Sequence, residues 1–181
     1  AHKLTIASNS QFTNLKSYDH RCFYCYNGTG KLIISNTPYH MKTGTLLIWQ
    51  PSLFYKIEKT SDTFEIIGIN FDFTSENSHK NAPIPPSVVG KFRENDIIET
   101  VYFSDLAVFN APVFLENISI VENKLFEIVN EYKNKKIFYN NIISGIFTDI
   151  ISQIARMKTT GISQDRNNID LILSYIHKNH Q

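Results

Sequence analysis

Cys22-Phe-Tyr-Cys25 holds the chain's two thiols at a spacing shared by redox dithiols and zinc sites. A redox dithiol needs a helix N-terminus to lower its thiol pKa. This run is aromatic and reads as a strand, where positions three apart point to opposite faces. No second cysteine pair and no histidine pair at zinc spacing supports a metal site, so both thiols read as structural. Gly28-Thr-Gly-Lys31 lacks the full spacing of a phosphate loop and sits between two strands, so it reads as a turn. The six histidines are scattered, and neither a nucleophile elbow nor a Ser-His-Asp set with supporting context occurs. That leaves polar aromatics as the groups with chemistry to offer. Tyr24, Tyr26, Tyr39 and Tyr55 carry hydroxyls that need partners if buried, and in small barrels such groups line ligand cavities. Trp49 ends an apolar strand and reads as packing.

The 181 residues carry 42% hydrophobic and 19% charged side chains, enough apolar material for a packed core. Aromatics reach 13%, which suits strands. A formal charge of +1 gives no electrostatic footprint for nucleic acid. No apolar run is long enough to span a membrane, and the first residues lack a secretory signal's apolar stretch. With two cysteines only, the expected home is a reducing cytoplasm.

The elements that must position these residues change texture near Asp105–Pro112. Before it, short apolar runs alternate with turn signals every 8–12 residues or so, as in a sandwich or barrel. The expected strands are Cys22–Asn27, a return strand from Lys31 after an Asn27-Gly28 hairpin, Tyr39–Lys42, Thr45–Trp49, Leu53–Glu58 and Phe64–Phe73. Ser75–Pro86 reads as loop. After it, Ile118, Val121, Leu125, Ile128 and Tyr132 fall on one helical stripe, broken by Asn134-Lys135-Lys136. Phe138 through Ile154 gives a second helix, antiparallel to the first. Two readings of the first stripe stand side by side: packing on the barrel, and a dimer seam through Leu125, Ile128 and Tyr132. Lys158–Asn167 reads as a polar link, and Asn168–His177 as the start of a further helix.

The order Asn27-Gly-Thr-Gly-Lys-Leu, Tyr39 before Lys42-Thr-Gly44, Thr45-Leu-Leu-Ile-Trp-Gln-Pro51 and Phe64-Glu-Ile-Ile-Gly-Ile-Asn-Phe71 resembles the N-terminal cupin domain of AraC-type transcriptional regulators. The resemblance implies a mainly β fold with added α: a cupin-like β-barrel with an N-terminal arm over 1–112 and an antiparallel dimerisation hairpin over 113–158. Residues 159–181 would be a linker and the first helix of a C-terminal helix-turn-helix domain cut off here. Metal-binding cupins carry histidines where Tyr24–Asn27 and Tyr55 stand, so the resemblance implies no metal and no cofactor. The sugar-binding relative's ligand positions fall on Asn27, Ile57, Ile66 and Gly68, which implies a ligand less polar than a sugar.

Strand alternation turns this into a pocket. Arg21, Phe23, Cys25 and Asn27 share one face; so do Tyr55 and Ile57, and likewise Ile66, Gly68 and Asn70. A barrel filled by side chains, without a cavity, is the competing expectation. The functional expectation is an effector-sensing, homodimeric module that reaches DNA only through a further domain and catalyses nothing. A stand-alone cupin enzyme, an isomerase or dioxygenase, and a ligand-free support for the dimer helices are the alternatives.

Overall fold

The computed structural model describes residues 2–5, 12–74, 85–98 and 100–179, with side chains described between 15 and 159. His79, His180 and most of the expected Ser75–Pro86 loop lie outside them. The strands are β1 (His2–Thr5), β2 (Phe12–Lys16), β3 (His20–Ile34), β4 (Thr37–Lys42), β5 (Thr45–Trp49), β6 (Phe54–Phe71), β7 (Ser87–Val88) and β8 (Val113–Leu115). Two helices follow, α1 (Glu122–Asn134) and α2 (Tyr139–Asn179). The eight strands form one antiparallel sheet with the path β7-β2-β6-β3-β5-β8, while β1 pairs with β6 and β4 with β3. The path is open at both ends among the described residues, so strand pairing does not close a barrel.

Thr45-Leu-Leu-Ile-Trp49 shows why the sheet has two apolar faces. Every residue of β5 is buried, as a continuous apolar run requires when both faces are covered. Leu46 and Ile48 join Cys22, Tyr24, Ile67 and Ile69 in a cluster shared with the helices. Leu47 and Trp49 join Phe23, Cys25, Tyr55, Ile57 and Ile66 in a second cluster on the inner face.

The long strands β3 and β6 pair along nearly their whole length, from His20 with Phe71 to Ile34 with Tyr55. Two sequence expectations are corrected here. Asn27-Gly28 makes no hairpin, and Leu53–Glu58 and Phe64–Phe73 are not separate strands: each pair is one continuous strand crossing a corner. Register shifts at Cys25/Asn27 and Gly28/Gly30 mark that corner. Gly28 has φ +82°, and a Cβ on it would lie 1.9 Å from the Thr63 carbonyl oxygen. The hairpin turn instead falls at Ser35-Asn36, both at positive φ, between β3 and β4.

The stripe expected of the first helix is split. Ile118 precedes a 3-10 turn over Ser119–Val121, and α1 begins only at Glu122. Lys135, left-handed at φ 48°, caps α1 and donates its N–H to the Glu131 carbonyl at 2.9 Å. Ile118, Val121, Leu125 and Ile128 are all fully buried in the outer cluster with Phe147, Ile150 and Ile154 of α2. That corrects the dimer seam: side chains with no surface in one copy offer none to another, and Leu125 and Ile128 are core. Tyr132 is half-buried. The backbone of α2 is helical from Tyr139 to Asn179, so the polar link expected at Lys158–Asn167 and the separate helix start at Asn168 are corrected to one helix.

Candidate functional site

An arginine in an apolar strand has to find a carboxylate, and Arg21 finds Asp19. The two lie two residues apart, on one face of the chain as it enters β3, with the guanidinium Nε 2.7 Å from Asp19 Oδ1. Arg21 Nη1 donates to Asn70 Oδ1 at 2.9 Å, across the register pair that β3 and β6 make. On its other side Arg21 pairs with Trp49 of β5. Arg21 is 3% exposed and Trp49 1%. Burial pushes the Asp19 carboxyl up, against the Arg21 charge and hydrogen bonds from Arg21, Asn70 and backbone that hold it down. Burial also pushes the Tyr55 hydroxyl up to about 12, with Arg21 pulling it down and Asp19 pushing it up. Arg21, Asp19, Asn70, Trp49 and Tyr55 thus form one buried polar cluster at the edge of the inner face.

Arg21 Nη2 and Trp49 Nε1 have no hydrogen-bond partner among the described residues, and Arg21 Nε and Asp19 Oδ1, though 2.7 Å apart as an ion pair, are not aligned for a hydrogen bond. Leaving a buried donor unpaired costs roughly 1–3 kcal/mol, more beside a charge. Below them the wall is apolar. Phe23 and Trp49 meet edge to face at 4.9 Å between ring centroids, and Trp49 and Tyr55 are 5.4 Å apart.

Of the residues the sequence nominated, Arg21, Phe23, Tyr55, Ile57 and Ile66 come together on the inner face, with Gly68 buried opposite Phe23 and Asn70 at the rim. Asn27 does not join them. It is exposed and donates to Glu65 Oε2 at 2.8 Å, because the shift after Cys25 breaks the alternation that would have turned it inward. Asp19 and Trp49 are the members that sequence reasoning missed. Asp19 had a signal: it shares a face with Arg21, and a buried cation calls for such a partner.

The outer face carries three further groups of note. Tyr24 sends its hydroxyl to Glu122 Oε2 at 2.7 Å, which ties the centre of β3 to the first residue of α1. His20 is fully buried between Phe71 and Phe73, and among the described residues neither ring nitrogen makes a well-aligned hydrogen bond. Burial lowers its pKa to about 4, against the pull of Asp72. Cys22 faces the outer cluster and Cys25 the inner one, both as free thiols. Burial raises Cys22 strongly and Cys25 to about 11, the wrong direction for redox work. Among the described residues no three His, Cys, Asp or Glu side chains group together as metal ligands would. No helix among them is long and apolar enough to cross a membrane.

No protein-family model matches the sequence, and no curated protein matches it. Solved structures do match. An apo form of ToxT from Vibrio cholerae aligns at 14% identity over 86% of this chain and 55% of its own, with a TM-score of 0.54. Wild-type ToxT from Vibrio cholerae bound to an unsaturated fatty acid aligns at 14% identity, over 86% and 53%, with a TM-score of 0.52. A conserved-barrel cupin protein from Leptotrichia buccalis aligns at 25% identity, over 38% and 32%, with a TM-score of 0.34. The chain spans about half the length of ToxT, and at this identity the likeness is one of fold.

Proposed function

We propose that this chain is the effector-sensing part of an AraC-type transcriptional regulator. The observation that carries the reading is the buried Arg21–Asp19–Asn70 cluster above an apolar wall, on the inner face of a sheet whose fold is like that of ToxT, an AraC-family regulator. Few polar anchors over an apolar wall is the usual make-up of a small-molecule site. The sheet then works as a cupin-like barrel, with residues 1–112 holding the effector and 113–158 the helical hairpin that receives its signal. Residues 159–181 lead toward a DNA-binding domain. The effector is a small molecule less polar than a sugar. ToxT has been solved with an unsaturated fatty acid and with a methylnaphthalenyl butenoic acid, both of that description.

In this reading the chain binds and does not catalyse, works in the cytoplasm, and contacts DNA only through the further domain. Pairing of two copies belongs to the same reading. Leu125 and Ile128 cannot serve it, and Ile137, Phe138 and Ile142 are the exposed apolar side chains around the start of α2. The test is calorimetric titration of this chain with sugars, aromatic acids and small lipids, followed by gel shifts of the full-length gene product with and without the binder. A binder that changes the gel shift supports the reading. Binding by none of them leaves a ligand-free support for the helices, and turnover of a substrate by the chain alone makes it an enzyme.

A further inference from the structure

The turn between α1 and α2 holds apolar side chains out in water. Ile137 is 81% exposed and Phe138 68%, while Ile128 before them and Phe147 after them are core. Hydrogen bonds fix the backbone there: Tyr139 N–H donates to the Lys136 carbonyl at 3.0 Å, and Ile142 N–H to the Phe138 carbonyl at 3.1 Å. Phe138 has φ 65°, and a bulky residue at positive φ is strained backbone of the kind that gathers at functional positions. From Tyr132 to Thr148 the chain carries Lys133, Lys135 and Lys136 and no carboxylate. All three lysines are exposed. None has an ion-pair partner among the described residues, whereas Lys16, Lys31, Lys42, Lys56 and Lys124 each have one. We propose that this turn docks on an anionic lipid bilayer, with Ile137 and Phe138 entering the headgroup layer and the three lysines meeting lipid phosphates. This goes beyond the sensing role and does not depend on it.

Two arguments select a bilayer. The first is the mixed chemistry of the turn. An apolar tip beside unpaired cations calls for a partner with an apolar layer under an anionic one, and segments that lie in membrane interfaces have this make-up. Apolar insertion and attraction to anionic lipid supply together the two signals that stable anchoring takes. The second is charge. A two-fold contact would set the turn against its own copy and bring the three lysines of each chain together, with no carboxylate of that stretch between them. The formal charge of the whole chain is only +1, so the attraction to lipid belongs to this turn and not to the protein at large.

The experiment is co-sedimentation of this chain with vesicles of phosphatidylglycerol and phosphatidylcholine in equal parts, against vesicles of phosphatidylcholine alone. The anionic vesicles should bind roughly tenfold or more tightly, since each lysine near such a surface adds attraction. Raising salt from about 0.1 M to about 1 M shortens the screening length from about 10 Å to about 3 Å and should weaken that binding. Two variants divide the turn: Ile137→Ser with Phe138→Ser removes the apolar tip, and Lys133→Gln with Lys135→Gln and Lys136→Gln removes the charge. Each should cut anionic-vesicle binding roughly tenfold or more while melting with the parent, because the side chains are exposed. If the serine variant unfolds, Phe138→Asn takes its place, since asparagine tolerates positive φ. Binding to neither vesicle, equal binding to both, or anionic binding indifferent to both variants overturns the proposal. So does a dimer in sedimentation velocity that the serine variant turns into monomer, which would give the tip to a second copy.

Discussion

The rings of Phe23 and Tyr55 lie 6.3 Å apart, although the strands that carry them put them at opposite ends of one ribbon. Phe23 pairs with Gly68 and Tyr55 with Ile34, positions that a straight ribbon would hold roughly 40 Å apart at about 3.3 Å per residue. The β3–β6 ribbon is therefore folded double, and the inner cluster is what lies between its halves. Phe23→Ala should remove the contact that joins them and cost about 3–5 kcal/mol, the usual range for a buried phenylalanine. Urea unfolding measures it; a loss below about 1 kcal/mol would mean the halves are held together by something else.

Gly30 sits at the fold of that ribbon, and a Cβ on it would lie 2.2 Å from Cε1 of Phe64, whose side chain is fully buried. Gly30→Ala should therefore destabilise by about 1–3 kcal/mol or more through overpacking. A variant that melts with the parent would show that the Phe64 ring has room to yield.

Leu125 is core. Leu125→Ala should cost about 2–5 kcal/mol and leave the oligomeric state of the folded protein unchanged. Sedimentation beside denaturant unfolding separates the two effects. A change in assembly without loss of stability would return Leu125 to an interface.

His20 makes the fold sensitive to acid. Its folded pKa of about 4 lies below the ordinary 6.5, so the fold prefers the neutral ring. The stabilisation is full above about pH 6.5 and is lost as pH falls through about 4, for a total of about 3 kcal/mol. Asp19 acts in the opposite sense, since its raised carboxyl takes a proton more readily in the fold than in the unfolded chain. Comparison with His20→Phe isolates the histidine: between pH 6.5 and 4 the parent should lose stability that the variant keeps. Parallel pH curves would sink the assignment.

How much of this was legible depends on where the alternation of β3 is interrupted. Cys22 and Cys25 fall on opposite faces as strand geometry requires, because both precede the shift. Asn27 lies beyond it, and the same rule sends it to the wrong face. The glycines carried a real signal with two meanings: Gly28 supplies the positive φ of a corner inside a strand, while the true hairpin uses Ser35 and Asn36. The helical stripe was read correctly as apolar, but spacing alone cannot say whether the covering surface belongs to the same chain. Trp49 looked like plain packing because its ring does pack; only its register opposite Arg21 exposes the indole N–H as a donor in want of a partner.

The doubled ribbon also orders events in time. Ile34 meets Tyr55 across a loop of roughly twenty residues, and its entropy is the main closure cost that β3 and β6 face. Rungs beyond the corner, out to His20 and Phe71, then form on ends already brought together. The hypothesis is a zipper that starts at Ile34–Tyr55. Ile34→Val should slow folding, and Ile69→Val should instead speed unfolding. Chevron plots with the two effects exchanged would place the nucleus at the other end, leaving the corner to be folded last.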